Sequence, residues 1–128
     1  MIHKEGNPVF HIDAGVGTYQ VSAHGQHIGD DLHVVITGGE QPHVGAVAVG
    51  SQSSDEPDGI RVALITVSGH KEDVVVEKVA RRLSRQLGIT VLVAAGMHWD
   101  EINKKGIAQV LEHTDHLTEK ILHEVRGD

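Results

Sequence analysis

The chain has 128 residues, 39% of them apolar but only 2% aromatic, with a formal net charge of −7 at pH 7 and no cysteine. A chain of this length encloses one core, so residues 1–128 read as a single domain whose interior is built from Val, Ile, Leu and Ala. The acidic balance, with Lys and Arg dispersed, excludes a phosphate-backbone binder, and the lack of thiols excludes disulfides, thiolate zinc sites and cysteine nucleophiles.

The opening MIHKEGNPVF lacks the apolar core of a signal peptide. No apolar run approaches the ~20 residues that span a bilayer. A cytoplasmic protein with no membrane and no nucleic-acid partner is the expectation.

In chain order, GTYQVSAHG alternates Tyr19, Val21 and Ala23 against Thr18, Gln20, Ser22 and His24, the period of a half-buried strand. HGQHIGDD reads as a hairpin connection. DLHVVIT then directs Leu32, Val34 and Ile36 inward and His33 outward. It runs into ITGGEQPHVG, where glycines serve either a tight turn or a ligand. VGAVAVGS is a small-residue strand with a bulge or close packing at Gly45. SQSSDEPDG, from Ser51 to Gly59, is an exposed loop. IRVALITV is apolar on both faces apart from Arg61, the pattern of a central strand.

The period then changes. Between Lys71 and Leu87, Val75, Val76, Val79, Ala80, Leu83 and Leu87 share one helical face, with Gly88 as C-cap. ITVLVAAG is a buried strand. A second helix over about Asn103 to Val125 carries Ile107, Val110, Leu111, Ile121, Leu122 and Val125 as its apolar stripe, with Asn103 as N-cap. His113, His116 and His123 fall on its wet side. Strands first, then strand–helix–strand–helix, predict an α+β two-layer sandwich. It has a mainly antiparallel sheet of about five to six strands with two helices on one face.

Two further stretches bear on chemistry. In ITVSGHKED a buried strand meets a helix at Ser68, Gly69, His70 and Lys71, and a helix start with a glycine, a hydroxyl and a cation suits an anion. Capping by Ser68 with a solvated Lys71 accounts for the same residues. In VLVAAGMHWDEIN a buried strand leads through Gly96 to His98, Trp99 and Asp100, where the acid is placed to orient the histidine. An exposed turn histidine, with Trp99 sealing the edge of the core, is the plainer alternative. His43, His70 and His98 each lie within two residues of a glycine at a strand boundary. The strands leading to His70 and His98 flank one helix and so point the same way. The strand ending at Gly38-Gly39 reaches the same rim if it runs parallel to them. Three imidazoles there suit a divalent metal ion beside a phosphorylated ligand.

The segments TGGEQPHVGAVAV, VSGHKEDVVVEKVARRL and VLVAAGMHWDEIN resemble, in this order, those of the LpdD-like prenylated flavin chaperones. These are the small D-subunits associated with UbiD-type gallate decarboxylases. The resemblance spans roughly Tyr19 to Val125. It implies a non-catalytic protein that holds prenylated FMN between a flavin prenyltransferase and a UbiD-type decarboxylase. Carried over by position, it assigns Gly38, Gly39 and His43 to the first element, Gly69, His70 and Lys71 to the second, and Gly96 and His98 to the third. With Ser68 and Trp99 added, the expected cofactor site is Gly38, Gly39, His43, Ser68, Gly69, His70, Lys71, Gly96 and Trp99, with His43, His70 and His98 as metal ligands. With so few aromatics, stacking on the flavin falls to Trp99, Tyr19, Phe10 or a neighbouring subunit. That shortage and an uncovered sheet face predict a homodimer. A small histidine–metal enzyme and a structural accessory subunit of a decarboxylase are the alternatives.

Overall fold

The computed structural model of the protein describes residues 9–67 and 72–127. Six strands form one sheet: β1 (Val9–Ala14), β2 (Val21–Ile28), β3 (Asp31–Gly39), β4 (Ala46–Gln52), β5 (Ile60–Thr66) and β6 (Val91–His98). Two helices, α1 (Asp73–Leu87) and α2 (Lys104–Arg126), complete the α+β fold, and the spatial strand order is β1-β2-β3-β6-β4-β5. All neighbouring pairs are antiparallel except β3 and β6, which are parallel. Among the described residues no helix is long and apolar enough to cross a membrane.

The register explains the layering. Phe10, Gly25, Val34, Val93, Ala48 and Leu64 form one cross-sheet row, and Ile12, Ala23, Ile36, Ala95 and Ala46 the next. Their side chains point to the helices, where Val76, Val79, Ala80 and Leu83 of α1 and Leu117, Ile121 and Leu122 of α2 are buried. Gly50 lets α1 approach, since a methyl group there would come 2.6 Å from the Ala80 carbonyl oxygen. The apolar stripe predicted for α1 is the one that packs. Gly88 ends the helix at φ 70°, with its N–H donated to Ser84 O. Asn103 caps α2 by accepting from the Gly106 N–H at 2.8 Å, a contact that stabilises by about 1 kcal/mol.

Several expectations are corrected. β1 belongs to a stretch given no strand reading, although Phe10, Ile12 and Ala14 alternate with His11 and Asp13 in the period of a half-buried strand. Tyr19 lies in a 3-10 turn (Gly17–Tyr19) rather than in a strand, and β4 runs on to Gln52. β2 and β3 extend through the HGQHIGDD segment, leaving only Gly29 and Asp30 as the turn. β5 is an edge strand, although it is apolar on both faces. Its outward Ala63 and Ile65 belong to rows on the face opposite the helices, and Ile65 is 71% exposed. On α2, Ile107 and Leu111 are 44% and 42% exposed, and Thr114 and Thr118 are buried in their stead. The first turns of the helix overhang the rim of the sheet instead of its centre. His113 is not on the wet side: its Nδ1 lies 2.7 Å from Tyr19 O and its ring fills the space left by Gly15.

The sheet face opposite the helices carries the row His11, His24, Val35, Ala94, Val47 and Ile65, and beside it Gln26, His33, Leu92, Val49 and Ala63. His11 and His24 stack with ring centroids 4.3 Å apart. Asp13 accepts from Ser22 Oγ at 2.6 Å and faces His11 Nε2 at 3.0 Å. The Ser22 hydroxyl, ahead of the charge and hydrogen bond of His11, holds the Asp13 carboxyl below its ordinary value of 3.8. A depressed folded-state value means that the contribution of Asp13 is present above pH 3.8 and is lost as pH falls through the lower value. Ser22→Ala will therefore move the Asp13 midpoint upward in a carboxyl-detected NMR titration.

Candidate functional site

The site begins with strand direction. β5 and β6 both run antiparallel to β4, so they point the same way, with β4 rather than direct pairing between them. β3 is parallel to β6, with Gly39 opposite His98. The C-terminal ends of β3, β5 and β6 thus share one rim, as a ligand-binding edge of this kind requires. Gly38, Gly39, His43, Gly96, His98 and Trp99 are all brought to it. Ser68, Gly69, His70 and Lys71 lie outside the described residues, so the anion cradle and the third imidazole are not located.

Close approach explains the glycines. Gly39 has φ 83°, and a side chain there would overlap the His98 backbone. Glu40 N–H donates to His98 O at 2.9 Å, and Glu40 Oε2 accepts from the Asp100 N–H at 3.0 Å, bracing the β3 and β6 exits against each other. A methyl group at Gly38 would come 2.8 Å from the Trp99 ring. Gly96 is bare because the carbonyl of His43 occupies the place of its side chain. The loop from Glu40 to Gly45 is thereby laid across the end of β6, and Gly45 N–H closes it on Ala95 O at 2.8 Å. In ITGGEQPHVG the backbone is bared to bring loop, strand and indole together.

The two histidines of the rim are both engaged. His43 Nδ1 lies 2.9 Å from Gln41 O and Nε2 lies 2.9 Å from Glu72 Oε2. His98 Nε2 lies 2.9 Å from Asp100 Oδ1, the orienting acid expected from their spacing. Among the described residues no group of three or more His, Asp or Glu side chains is arranged to hold a metal ion. Trp99 is 7% exposed; its Nε1–H donates to Thr18 O at 2.5 Å and Tyr19 meets its ring edge-on at 5.7 Å.

Two cavities adjoin Trp99. One, of about 440 Å³, is lined by Gly17, Thr18, Gln20, Ser22, Thr37, Gly38, Gly39, Glu40, Pro42 and Trp99. The other, of about 280 Å³, is apolar and lies between β6 and the helix starts, against Val75, Met97, Ile102, Ile107 and Leu111. The larger is of the size that small-molecule sites have, roughly 300–1,000 Å³. Hydroxyl, amide and bare backbone groups line it beside one aromatic wall, a set that fits the polar edge and flat ring of a flavin. Sequence reasoning missed Thr18, Gln20, Ser22, Thr37, Pro42 and above all Glu72. The outward alternation of Ser22 and Thr37 was legible, but which end of the sheet they served was not.

A six-stranded, mostly antiparallel sheet backed by two helices, with a glycine-bared rim cavity, defines a small α+β protein with a candidate ligand site at one rim of the sheet. Residues 15–126 match the prenylated flavin chaperone LpdD-like domain, and the chain belongs to that family. Protein LpdD of Lactiplantibacillus plantarum is 35% identical over 104 residues, covering 81% of this chain and 76% of that protein. The fold is shared with a chain in the crystal structure of a chaperone complex for yeast 20S proteasome assembly. The TM-score is 0.55 at 11% identity, over 93% of this chain and 96% of that one. Family membership makes this a non-catalytic accessory protein.

Proposed function

We propose that the protein carries prenylated FMN in the cytoplasm, receiving it from a flavin prenyltransferase and holding it for a UbiD-type decarboxylase. The observation that carries this reading is the 440 Å³ rim cavity around Gly38, Gly39 and Trp99, in a chain that the chaperone family matches over residues 15–126. The flavin ring lies against Trp99, and the hydroxyls of Thr18, Ser22 and Thr37 meet its polar edge. The phosphate is assigned to Ser68, Gly69, His70 and Lys71, ahead of α1. Asp73 Oδ1 already accepts from the Val74 N–H at 2.9 Å, so Lys71 and the segment before it, more than the helix start itself, supply the charge for the phosphate.

A divalent ion held by His43, His70 and His98 is the second element of the reading. It makes a specific demand, because each ring nitrogen of His43 already faces a partner, Gln41 O or Glu72 Oε2, and one of them has to be exchanged for the metal. The homodimer is assigned to the sheet face opposite the helices, which no helix or strand of the described residues covers and where Val35, Leu92, Ala94, Val47, Val49 and Ile65 make an apolar band. A sheet whose central strands are apolar on both sides is usually covered on both.

Coexpression with a flavin prenyltransferase tests all three parts. Purified protein is expected as a dimer in light scattering, with about one flavin per chain by visible absorbance. The double variant His70→Ala, Lys71→Ala is expected to lose at least tenfold in flavin affinity, in line with removing a charge-assisted phosphate contact. Metal without flavin would favour the histidine–metal enzyme, and neither ligand would favour a purely structural subunit. Full flavin loading of the double variant would remove the phosphate assignment.

A further inference from the structure

Glu72 is the one carboxylic acid among the buried polar side chains of the described residues, at 6% exposure. The others, Ser84, Thr114 and Thr118, satisfy themselves on carbonyls four or five residues away. Glu72 instead reaches across the fold. Its Oε2 accepts from the Met97 N–H of β6 at 3.1 Å and lies 2.9 Å from His43 Nε2. Gly45 is bare where the carboxylate lies, as Gly96 is bare under His43.

An acid withdrawn from water costs free energy unless it is well bonded, and a packed apolar side chain in such a place is often neutral or stabilising. Stability therefore does not account for this residue; its geometry does. We propose that Glu72 is the positioning residue of the cofactor rim. By tying the start of α1 to β6 and to His43, it fixes the Glu40–Gly45 loop, and through Glu40 and Pro42 it fixes one wall of the 440 Å³ cavity without touching the ligand. That it serves flavin binding rests on the carrier reading; that it shapes the loop does not.

Two measurements separate these parts: amide hydrogen exchange of the flavin-free protein and flavin release from the loaded protein. Glu72→Gln keeps both contacts, with its amide oxygen in the place of Oε2 accepting from the Met97 N–H and from His43 Nε2–H. Glu72→Ala removes both, and Glu72→Met takes its place should the alanine variant fail to fold. Expected for the variant lacking both contacts is at least tenfold faster exchange at Met97 and at the bonded loop amides of Glu40 and Gly45, together with at least tenfold faster flavin release. Glu72→Gln is expected within a factor of about two of wild type in both. Ser84→Ala, equally buried but remote from the rim, lowers the melting temperature and moves neither. Unchanged exchange in the variant lacking both contacts overturns the proposal, and so does a Gln variant that behaves like it, since charge would then matter and position would not. If loop exchange responds as expected while the wild type binds no flavin, the positioning role stands and the carrier reading falls.

Discussion

Gly96→Ala is expected to cost at least about 3 kcal/mol of stability and to lower the melting temperature by roughly 10 °C, because the added methyl meets backbone rather than a yielding side chain. The carbonyl and amide of His43 lie where that methyl would go. Relief requires lifting the Glu40–Gly45 loop off β6, which breaks the Gly45 N–H bond to Ala95 O and carries His43 away from Glu72. A comparison isolates the cause. Gly59 has φ 79° but open space around it, so Gly59→Ala carries the backbone penalty alone, about 1 kcal/mol. Calorimetry on the two variants should separate them by a factor of about three in lost stability. Equal losses would mean that the loop is not pinned across β6.

Trp99→Ala is expected to remove about 3–5 kcal/mol, the usual range for truncating a buried large aromatic, and with it the flavin. The indole fills the space over Gly38, bonds Thr18 O and forms the partition between the two rim cavities. Removing it joins those cavities and takes away the one aromatic wall of the larger. Trp99→Phe keeps a ring and loses the bond to Thr18, so a loss of about 1 kcal/mol with flavin retained is expected. Because the chain contains a single tryptophan, its fluorescence reports the site directly. Flavin binding should quench it strongly in the wild type. An unquenched Trp99 in flavin-loaded protein would place the ring elsewhere.

Much of the candidate site was legible because glycine has few other uses at a strand exit. Gly38, Gly39 and Gly96 each mark a close approach, and the acid two residues after His98 does orient it. Glu72 was not legible. A glutamate at the start of a helix has the same sequence appearance whether it faces water or a buried amide, and only the packing of β6 against α1 distinguishes the two. His113 was misplaced for a related reason, since a wet helix face is inferred from periodicity and the 3-10 turn that covers it comes from residues far away in the chain.

Local chemistry by itself determined the class of fold, the span of α1, both helix caps and the grouping of glycines with histidines, because periods of two and 3.6 and the φ tolerance of glycine are properties of short segments. Tertiary structure alone decided that β5 is an edge, that β4 lies between β5 and β6, and that β3 runs beside β6. It also decided that a buried carboxylate holds the rim loop. Those are matters of strand pairing over long separations, where hydrogen-bonded neighbours are chosen by the whole sheet and no single stretch of residues encodes the choice.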